Sequence, residues 1–315
     1  MTTTPVTAAY VVLSHASADR LTHLVSAIRR SSPQSWVVVA HDARATPAPR
    51  IDDERVLVWT HGLSTDWGSW ALVEATLGGF RRARAAADPD LVVLVSGQCH
   101  PAVDLEAWER DLVAAGGWQG EVRPVSYRAR WGGGDGAGDS VTTRYTYRWW
   151  PAPLLDGTLR RKGRLARVLW AAAHRTEPLV SLRLVERGHG AHVGVRRLRS
   201  PFTSDTPCQL GSQWVALDRI GLDHVLAELA PGAPLERAYR HTIIPDESAL
   251  QTVLARHRPA AVTRTVSHRL PEDVPLAWQQ QLHDIEQSGA PFGRKVEDFA
   301  DPAVLERLDL LSGAT

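Results

Sequence analysis

Four short apolar runs in the first hundred residues constrain the fold more than any other feature of this sequence. Each run is dominated by apolar, often β-branched residues with little polar alternation, a pattern typical of strands that are buried on both faces. Between the first and second run, and again between the third and fourth, apolar residues recur at helical spacing. The four runs are residues 9–13, 36–40, 55–59 and 91–95, and the two helical segments are residues 19–30 and 70–87.

This alternation predicts an α/β fold with a central, mostly parallel sheet flanked by helices. No proline- or serine-rich linker divides the 315 residues, so we expect a single domain. Patterns in the rest of the chain are weaker. They predict strands at residues 213–217 and 261–267, a glycine-rich loop at 131–139, and helices at 159–174, 219–229, 246–257, 274–287 and 302–311.

Composition narrows the classes of function. A formal net charge of +1 gives no general attraction to nucleic acid. The two cysteines cannot build a disulfide framework, which favours a reduced, cytoplasmic protein. The N-terminus lacks a basic leader before an apolar run, and no apolar run approaches the ~20 residues of a membrane span. Arginine far outnumbers lysine, a bias typical of GC-rich bacterial genomes.

Polar residues follow three of the predicted strands. They are Ser14 and His15, then His41 and Asp42, then Ser96 with Gly97. Ligands of parallel sheets bind beyond the carboxyl ends of the strands. These side chains are therefore candidate ligand-binding residues.

Two charged segments in the second half of the chain are candidates for chemistry. Asp246 and Glu247 follow a proline, which fits either a capped helix start or a carboxylate directed into a cleft as a general base. Arg294 and Lys295 are adjacent cations beside Gly293, which fits either a solvated turn or a diphosphate site. Both alternatives stay open for each segment.

Other motifs argue against a metal or dinucleotide site. Asp88 and Asp90 imitate a metal-binding Asp-x-Asp pair, but they precede a predicted strand and fit a helix-to-strand turn. The scattered histidines show no paired zinc spacing with cysteine. The glycine-rich segment 132–138 opens no clear helix, so a lid or a plain surface insertion fits better than a dinucleotide loop. The aromatic cluster 145–150, which includes Tyr147 and Trp149, suits either sugar stacking or core packing.

Seven fragments of the chain are shared, in order, with one known family. They are residues 9–15 (AYVVLSH), 40–42 (AHD), 67–77 (WGSWALVEATL), 95–101 (VSGQCHP), 211–217 (GSQWVAL), 245–248 (PDES) and 292–295 (FGRK). Together they resemble the family 14 glycosyltransferases, which include the core-2/I-branching N-acetylglucosaminyltransferases and the peptide O-xylosyltransferases. Each fragment is weak alone, and the shared order gives the resemblance its weight.

The resemblance implies a GT-A-type, Rossmann-like domain and an inverting transfer from a UDP-sugar of the GlcNAc or xylose class. The acceptor would be a hydroxyl of a carbohydrate, peptide or small molecule, and no metal or other cofactor is expected. Residues 1–127 would form the nucleotide-binding half, 128–175 a variable acceptor-side insertion, and 176–315 the catalytic and diphosphate-binding half. Glu247 matches the general base; the donor would contact His15, Asp42, Ser96, Gly97, Arg264, Arg294 and Lys295, and the acceptor Trp214, Tyr147 and Trp149.

That mechanism is consistent with the charges in the chain. A departing diphosphate builds negative charge, which a divalent cation stabilises in most GT-A enzymes. Without a well-placed Asp-x-Asp pair, Arg264 and Lys295 would supply the positive charge instead. One departure is Cys99, followed by His100, where the family usually has Asp. It keeps open a nucleotide-sugar binding protein without turnover, while an unrelated α/β enzyme such as a phosphate-binding hydrolase fits the ordered match less well.

Overall fold

The computed structural model describes residues 6–125, 141–161, 163–177, 179–185, 188, 190–203, 206–270, 278–296 and 302–313. The strands are β1 (Ala8–Ser14), β2 (Trp36–His41), β3 (Val56–Thr60), β4 (Leu91–Ser96), β5 (Cys99–Pro101), β6 (Trp118–Gln119), β7 (Arg123–Pro124), β8 (Tyr147–Pro151), β9 (Val180–Val185), β10 (Gly190–Arg196), β11 (Gln209–Leu210), β12 (Ala216–Asp218), β13 (Ser267–Arg269) and β14 (Phe292–Arg294). The helices are α1 (Ala18–Ser31), α2 (Trp70–Ala87), α3 (Leu105–Ala115), α4 (Val141–Thr146), α5 (Pro153–Arg160), α6 (Arg164–Thr176), α7 (Arg219–Glu228), α8 (Pro234–Tyr239), α9 (Ala249–His257), α10 (Trp278–Ser288) and α11 (Pro302–Leu311).

The core of the molecule is a mixed sheet of six strands in the order β3-β2-β1-β4-β12-β6. The first four strands are parallel, and β12 runs antiparallel to both of its neighbours. All residues of β1 and β4 are buried, as their uninterrupted apolar sequences predict. The predicted α/β class and the four apolar strands are therefore confirmed.

Successive strands are added first on one side of β1 and then on the other. From β1 the chain proceeds outward to β2 and β3, and it then returns through α2 to β4 on the other side of β1. Because crossovers between parallel strands are right-handed, α1 and α2 cover opposite faces. The gap between the carboxyl ends of β1 and β4 is therefore a topological switch point, where sheets of this kind bind ligands.

Three smaller sheets extend the core, and the shortest of them pairs β11 with β7. β13, β14 and β5 form another, and it joins the carboxyl end of β4 directly because two residues separate β4 from β5. β8, β10 and β9 form an antiparallel sheet that packs against α5 and α6 around its own apolar cluster. The sequence patterns did not predict this last sheet.

Four predicted elements differ from the structure. The strand predicted at residues 213–217 begins three residues later, as β12. The helix predicted at residues 159–174 is two helices, because Gly163 stands at the N-cap of α6 and interrupts the pattern. The strand predicted at residues 261–267 is shifted to β13, and only Val262 of the earlier residues forms a bridge, to Gln119. The helix predicted from residue 246 is a 3-10 turn at Pro245–Glu247 followed by α9. The predicted glycine-rich loop at residues 131–139 lies outside the described residues.

Asp88 and Asp90 lie at the amino end of β4, as predicted for a helix-to-strand turn. Asp88 has left-handed backbone geometry (φ 44°) after the last residue of α2. Asp90 accepts a hydrogen bond from the Thr7 amide at 3.1 Å and lies 3.4 Å from the Arg219 guanidinium. Both carboxylates therefore lie at the amino edge of the sheet, opposite the switch point.

A buried carboxyl group ties α3 to the central sheet. Glu109 is 1% exposed and accepts hydrogen bonds from the Tyr10 hydroxyl and, at 3.0 Å, from the Ser32 hydroxyl. Burial raises the pKa of Glu109 to about 7, against the opposing effect of these two hydrogen bonds. The folded chain therefore holds this proton more tightly than the unfolded chain does.

Glu109→Gln is expected to remove part of the pH dependence of stability. Folding raises the pKa of Glu109, so the protonated form stabilises the folded state relative to the ionised form. Wild-type stability should therefore fall as pH rises from about 4 to 7. The variant should gain roughly 2–3 kcal/mol over wild type at pH 8, measured by urea unfolding. The control is Glu306→Gln, which changes an exposed glutamate that does not contribute to the pKa of Glu109. Parallel pH profiles for Glu109→Gln and wild type would contradict the prediction.

Candidate functional site

Three strand ends converge at the carboxyl edge of the central sheet. The Asp42 amide donates to the Ser14 carbonyl at 2.7 Å, and the Gly97 amide donates to the Leu13 carbonyl at 2.8 Å. A side chain at position 97 would overlap the Ser14 hydroxyl, which explains the glycine. His15 is exposed at the same edge. The edge therefore brings His15, Asp42, Ser96 and Gly97 together, as the sequence predicts.

The loop that carries Lys295 lies at the end of β4. Arg294 pairs with Cys99 across β14 and β5, and the Val296 amide donates to the Gln98 carbonyl at 3.0 Å. Lys295, which is half-buried, stands between these two anchored residues. The two adjacent cations therefore lie beside the Ser96–Gly97 turn, although nearly two hundred residues separate them in sequence.

Glu247 approaches the same region from the other side. β12 is antiparallel to β4, so residues 211–214, which precede it, lie at the carboxyl edge. The Gly211 amide donates to the Glu247 carbonyl at 2.9 Å. The Arg294 guanidinium lies 5.1 Å from the centre of the Trp214 ring. Because residues 211 and 214 are at most about 11 Å apart along the chain, the acidic turn and the cationic loop flank one short segment.

The backbone that presents Glu247 is strained. Ile244 has φ 55°, a left-handed conformation that is costly for a β-branched residue. Its amide donates to the Gly68 carbonyl at 3.0 Å, and its carbonyl accepts from the Tyr145 hydroxyl at 2.8 Å. Surrounding contacts thus enforce a conformation that the chain would not adopt alone. Backbone strain of this kind clusters at functional sites.

The two neighbouring carboxyl groups of this turn have different environments. Glu247 is partly exposed and forms a 3.0 Å ion pair with Arg144 through Oε2. Asp246 is 5% exposed, and burial together with the charge of Glu247 raises its pKa to about 7. Its Oδ1 has no hydrogen-bond partner among the described residues. The accessible carboxyl group of the two is therefore that of Glu247. Its partner Arg144 carries no specific sequence signal beyond a basic and aromatic stretch.

A buried polar network fixes the residues that follow Glu247. The Tyr239 hydroxyl donates to the Thr252 hydroxyl at 2.7 Å and lies 2.8 Å from the Ser248 hydroxyl. Ser248 donates to the Gln209 carbonyl at 2.6 Å. This network joins α8 and α9 to the strand just before Gly211. It therefore anchors Ser248, the residue that follows Glu247.

Asp42 is strongly engaged within the protein. The Arg44 guanidinium donates to both of its carboxylate oxygens, with Nη2 to Oδ2 at 2.6 Å, and the Thr65 hydroxyl donates to Oδ2, also at 2.6 Å. The hydrogen bonds from Arg44, more than any other effect, hold the pKa of Asp42 well below its usual range. Asp42 is thus a permanent anion at this edge, with both oxygens already hydrogen-bonded.

Cys99, where the chain departs from the family that it resembles, points into the fold. It is 1% exposed, its Sγ accepts from the Ser96 amide at 3.4 Å, and burial raises its pKa to about 11. The thiol is therefore neutral at physiological pH and is no candidate nucleophile. Its role in the structure is to pack the turn between β4 and β5.

Four of the predicted site residues are not placed as expected. Arg264 precedes β13 while Lys295 follows β14, and these strands are parallel, so the two cations lie at opposite ends of the pair. Arg264 donates instead to the Gly289 carbonyl at 3.3 Å, just after α10. The rings of Tyr147, Trp149 and Trp214 are 0%, 2% and 8% exposed, so core packing, not sugar stacking, explains them.

One group of side chains among the described residues has the spacing of metal ligands. His23, His100 and Asp309 place their ligand atoms within 4.8 Å of one another. His100 Nε2 and Asp309 Oδ1 are 3.0 Å apart, and Arg30 lies 3.5 Å from the other oxygen of Asp309. The arginine already balances this carboxylate. The group fastens α11 to α1 and β5, and it involves none of the predicted site residues.

Comparison with known proteins adds little to this geometry. No protein-family model matches the sequence, and no curated protein sequence matches it. Among solved structures, the crystal structure of HddC from Yersinia pseudotuberculosis aligns with 69% of this chain and 79% of that chain, at 6% identity and a TM-score of 0.25. A likeness this weak carries no argument. Within the described ranges, no helix combines the length and apolar character needed to cross a lipid bilayer.

Proposed function

We propose that this chain is an inverting glycosyltransferase of the GT-A type, related to family 14, that transfers a sugar from a UDP-sugar to an acceptor hydroxyl without a bound metal. One observation carries the proposal. The Glu247 turn and the Arg294–Lys295 loop flank residues 211–214 at the carboxyl edge of the central sheet. An acid and a pair of cations at a nucleotide-type switch point suit transfer from a charged leaving group.

The cations of the loop would stabilise the leaving diphosphate. Negative charge grows on the phosphate oxygens as the glycosidic bond breaks, and fixed positive groups stabilise it without reorganising. Lys295 is held between Arg294 and Val296, both of which are anchored to the turn after β4. The structure separates Arg264 from this loop, so we assign the second cation to Arg294. The nucleoside would lie along the ends of β1 and β4, near His15, Ser96 and Gly97.

Glu247 would act as the general base. Its Oε2 is paired with Arg144, which orients the carboxylate, and no described residue hydrogen-bonds to its Oε1. This second oxygen can take the proton of an acceptor hydroxyl as that hydroxyl attacks the anomeric carbon. Attack from the face opposite the diphosphate inverts that carbon. Asp246 is too buried to reach an acceptor.

The second candidate function is a nucleotide-sugar binding protein without turnover. Its support is Cys99, which places a neutral, buried thiol where the family has a carboxylate. Both candidates require the donor to bind at the same edge. Turnover distinguishes them, and the predicted effect of a Glu247 substitution on turnover is developed in the Discussion.

Lys295→Ala is expected to weaken UDP binding roughly 10- to 100-fold, the scale of one lost hydrogen bond to a charged group. Isothermal titration calorimetry with UDP in the presence of EDTA measures both this loss and the metal independence of wild type. Arg175→Ala, which removes an exposed arginine near the end of α6, is the control and should bind as wild type does. Binding that vanishes with EDTA and returns with manganese would refute the metal-free proposal, and an unchanged affinity of Lys295→Ala would refute the role of Lys295.

A further inference from the structure

A cavity of about 890 Å³ lies outside the site described above. It opens between the start of β8, the residues after β10, and α8 with the two residues that follow it. Its volume falls in the range of small-ligand sites. We call it the arginine cavity, because its charged and titratable lining residues are Arg148, Arg197, Arg199, Arg237, Arg240 and His241; the other lining residues are Ser, Pro and Ala.

Positive charge in the arginine cavity is largely uncompensated. Arg240 is paired with Glu236 and lies 3.8 Å from Glu74. For the other four arginines, no carboxylate of the described residues lies within ion-pair distance, and none of the lining residues is acidic. In a chain with a net charge of +1, four unpaired arginines around one concavity are a local excess. A concave surface of one charge sign concentrates ions of the opposite sign.

Arg197 is fixed in place without a counter-charge. Its Nε donates to the Tyr147 carbonyl at 3.2 Å, and its Nη2 donates to the Ala238 carbonyl at 2.6 Å. Burial and then the charge of Arg148 lower its pKa. Guanidinium groups nevertheless stay protonated in proteins. A partly buried cation beside a second cation is destabilising unless an anion joins them.

An exposed aromatic ring stands beside these cations. Trp150 is 41% exposed, its ring centre lies 6.3 Å from that of His241, and the Arg148 guanidinium lies 5.4 Å from it. Its neighbours Tyr147 and Trp149 are buried, so Trp150 alone of the three offers an open apolar face. A flat apolar face next to a cluster of guanidinium groups is suited to a ring that carries anionic substituents.

We propose that the arginine cavity binds an acidic carbohydrate, a sugar chain with two or more sulfate, phosphate or carboxylate groups, with one ring stacked on Trp150. Binding at this site does not depend on the proposed transfer reaction. Identification of this carbohydrate as the acceptor does rest on the proposed function. It is consistent with the chain path, because His241 and Glu247 are six residues apart and so within about 22 Å.

The test is calorimetry at low salt, without donor, using a heparin-derived tetrasaccharide, tetragalacturonate and uncharged chitotetraose. Wild type should bind one or both acidic chains and not chitotetraose. Because the heparin tetrasaccharide carries carboxylates as well as sulfates, tighter binding of it than of tetragalacturonate would show that sulfate contributes. Arg199→Ala/Arg237→Ala removes two exposed arginines and should weaken binding roughly tenfold or more. The control Arg50→Ala/Arg175→Ala removes the same charge outside the cavity and should bind as wild type does.

Three outcomes would overturn the proposal. Equal loss of binding in both double variants would show a general charge effect. Displacement of the tetrasaccharide by UDP would make the cavity part of the donor site. Equally tight binding of a DNA duplex, lost in the cavity variant, would make it a nucleic-acid surface. If the acidic chain binds but no transfer reaction occurs, the proposed function fails while this inference stands.

Discussion

Glu247→Gln is expected to reduce turnover of the UDP-sugar by about 10²- to 10⁴-fold, the usual contribution of a general base. The amide has the size of the carboxylate but cannot accept the acceptor's proton. UDP affinity should stay near that of wild type, because the diphosphate is assigned to the loop on the other side of residues 211–214. The measurement is UDP release from donor and acceptor, or donor hydrolysis, in the presence of EDTA.

Stability serves as the internal check on this prediction. The ion pair between Glu247 and Arg144 is partly buried, but the amide oxygen introduced by the substitution still accepts a hydrogen bond from Arg144, so the expected loss is about 1 kcal/mol. The melting temperature of Glu247→Gln should therefore shift by a few degrees at most. Asp246→Asn is the matched control, since it changes the neighbouring carboxyl group that is too buried to reach an acceptor. Turnover retained in Glu247→Gln, or lost equally in Asp246→Asn, would remove Glu247 from the role of base.

The central sheet could be predicted from sequence because its signal is local. A strand buried on both faces shows an uninterrupted apolar run, and β1, β2 and β4 each carry one. The same holds for α2, whose bounds follow from its periodicity. The antiparallel sheet of β8, β10 and β9 has no comparable run. Its strands include exposed and glycine positions, and β8 pairs with β10 across more than forty residues of sequence.

The candidate site was only partly predictable, for a related reason. The acidic turn at Glu247 and the Arg294–Lys295 pair can be recognised in the sequence. Which residues lie near them in space depends on strand pairing between distant parts of the chain. Because β13 and β14 are parallel, Arg264 lies at the end of this strand pair opposite to Lys295. No local sequence pattern predicts that separation. The partner Arg144 is likewise joined to Glu247 across more than a hundred residues. Sequence therefore identified candidate groups, and topology determined which of them meet.

Gly211→Ala is expected to damage both stability and turnover. A methyl group at position 211 would overlap the Glu121 carbonyl oxygen, which is backbone and cannot rotate away. Relief requires one of two backbone segments to move, and the segment at Gly211 donates to the Glu247 carbonyl at 2.9 Å. Overpacking of this kind costs about 1–3 kcal/mol, occasionally more. A shift of about 1 Å in a catalytic group can cost about 10²-fold in rate.

Comparison with a second glycine separates this effect from the general cost of replacing glycine. In Gly157→Ala, within α5, the new methyl group would meet no atom within 4 Å, so the variant should gain about 0.5–1 kcal/mol from helix propensity. Urea unfolding should therefore move in opposite directions for the two variants. Turnover should fall only in Gly211→Ala. The fall should exceed the loss of folded protein, because Glu247 is displaced even in the molecules that remain folded. If Gly211→Ala were as stable and as active as wild type, this segment could not be packed against Glu121 as described. The proposed link between residues 211–214 and the base Glu247 would then fail as well.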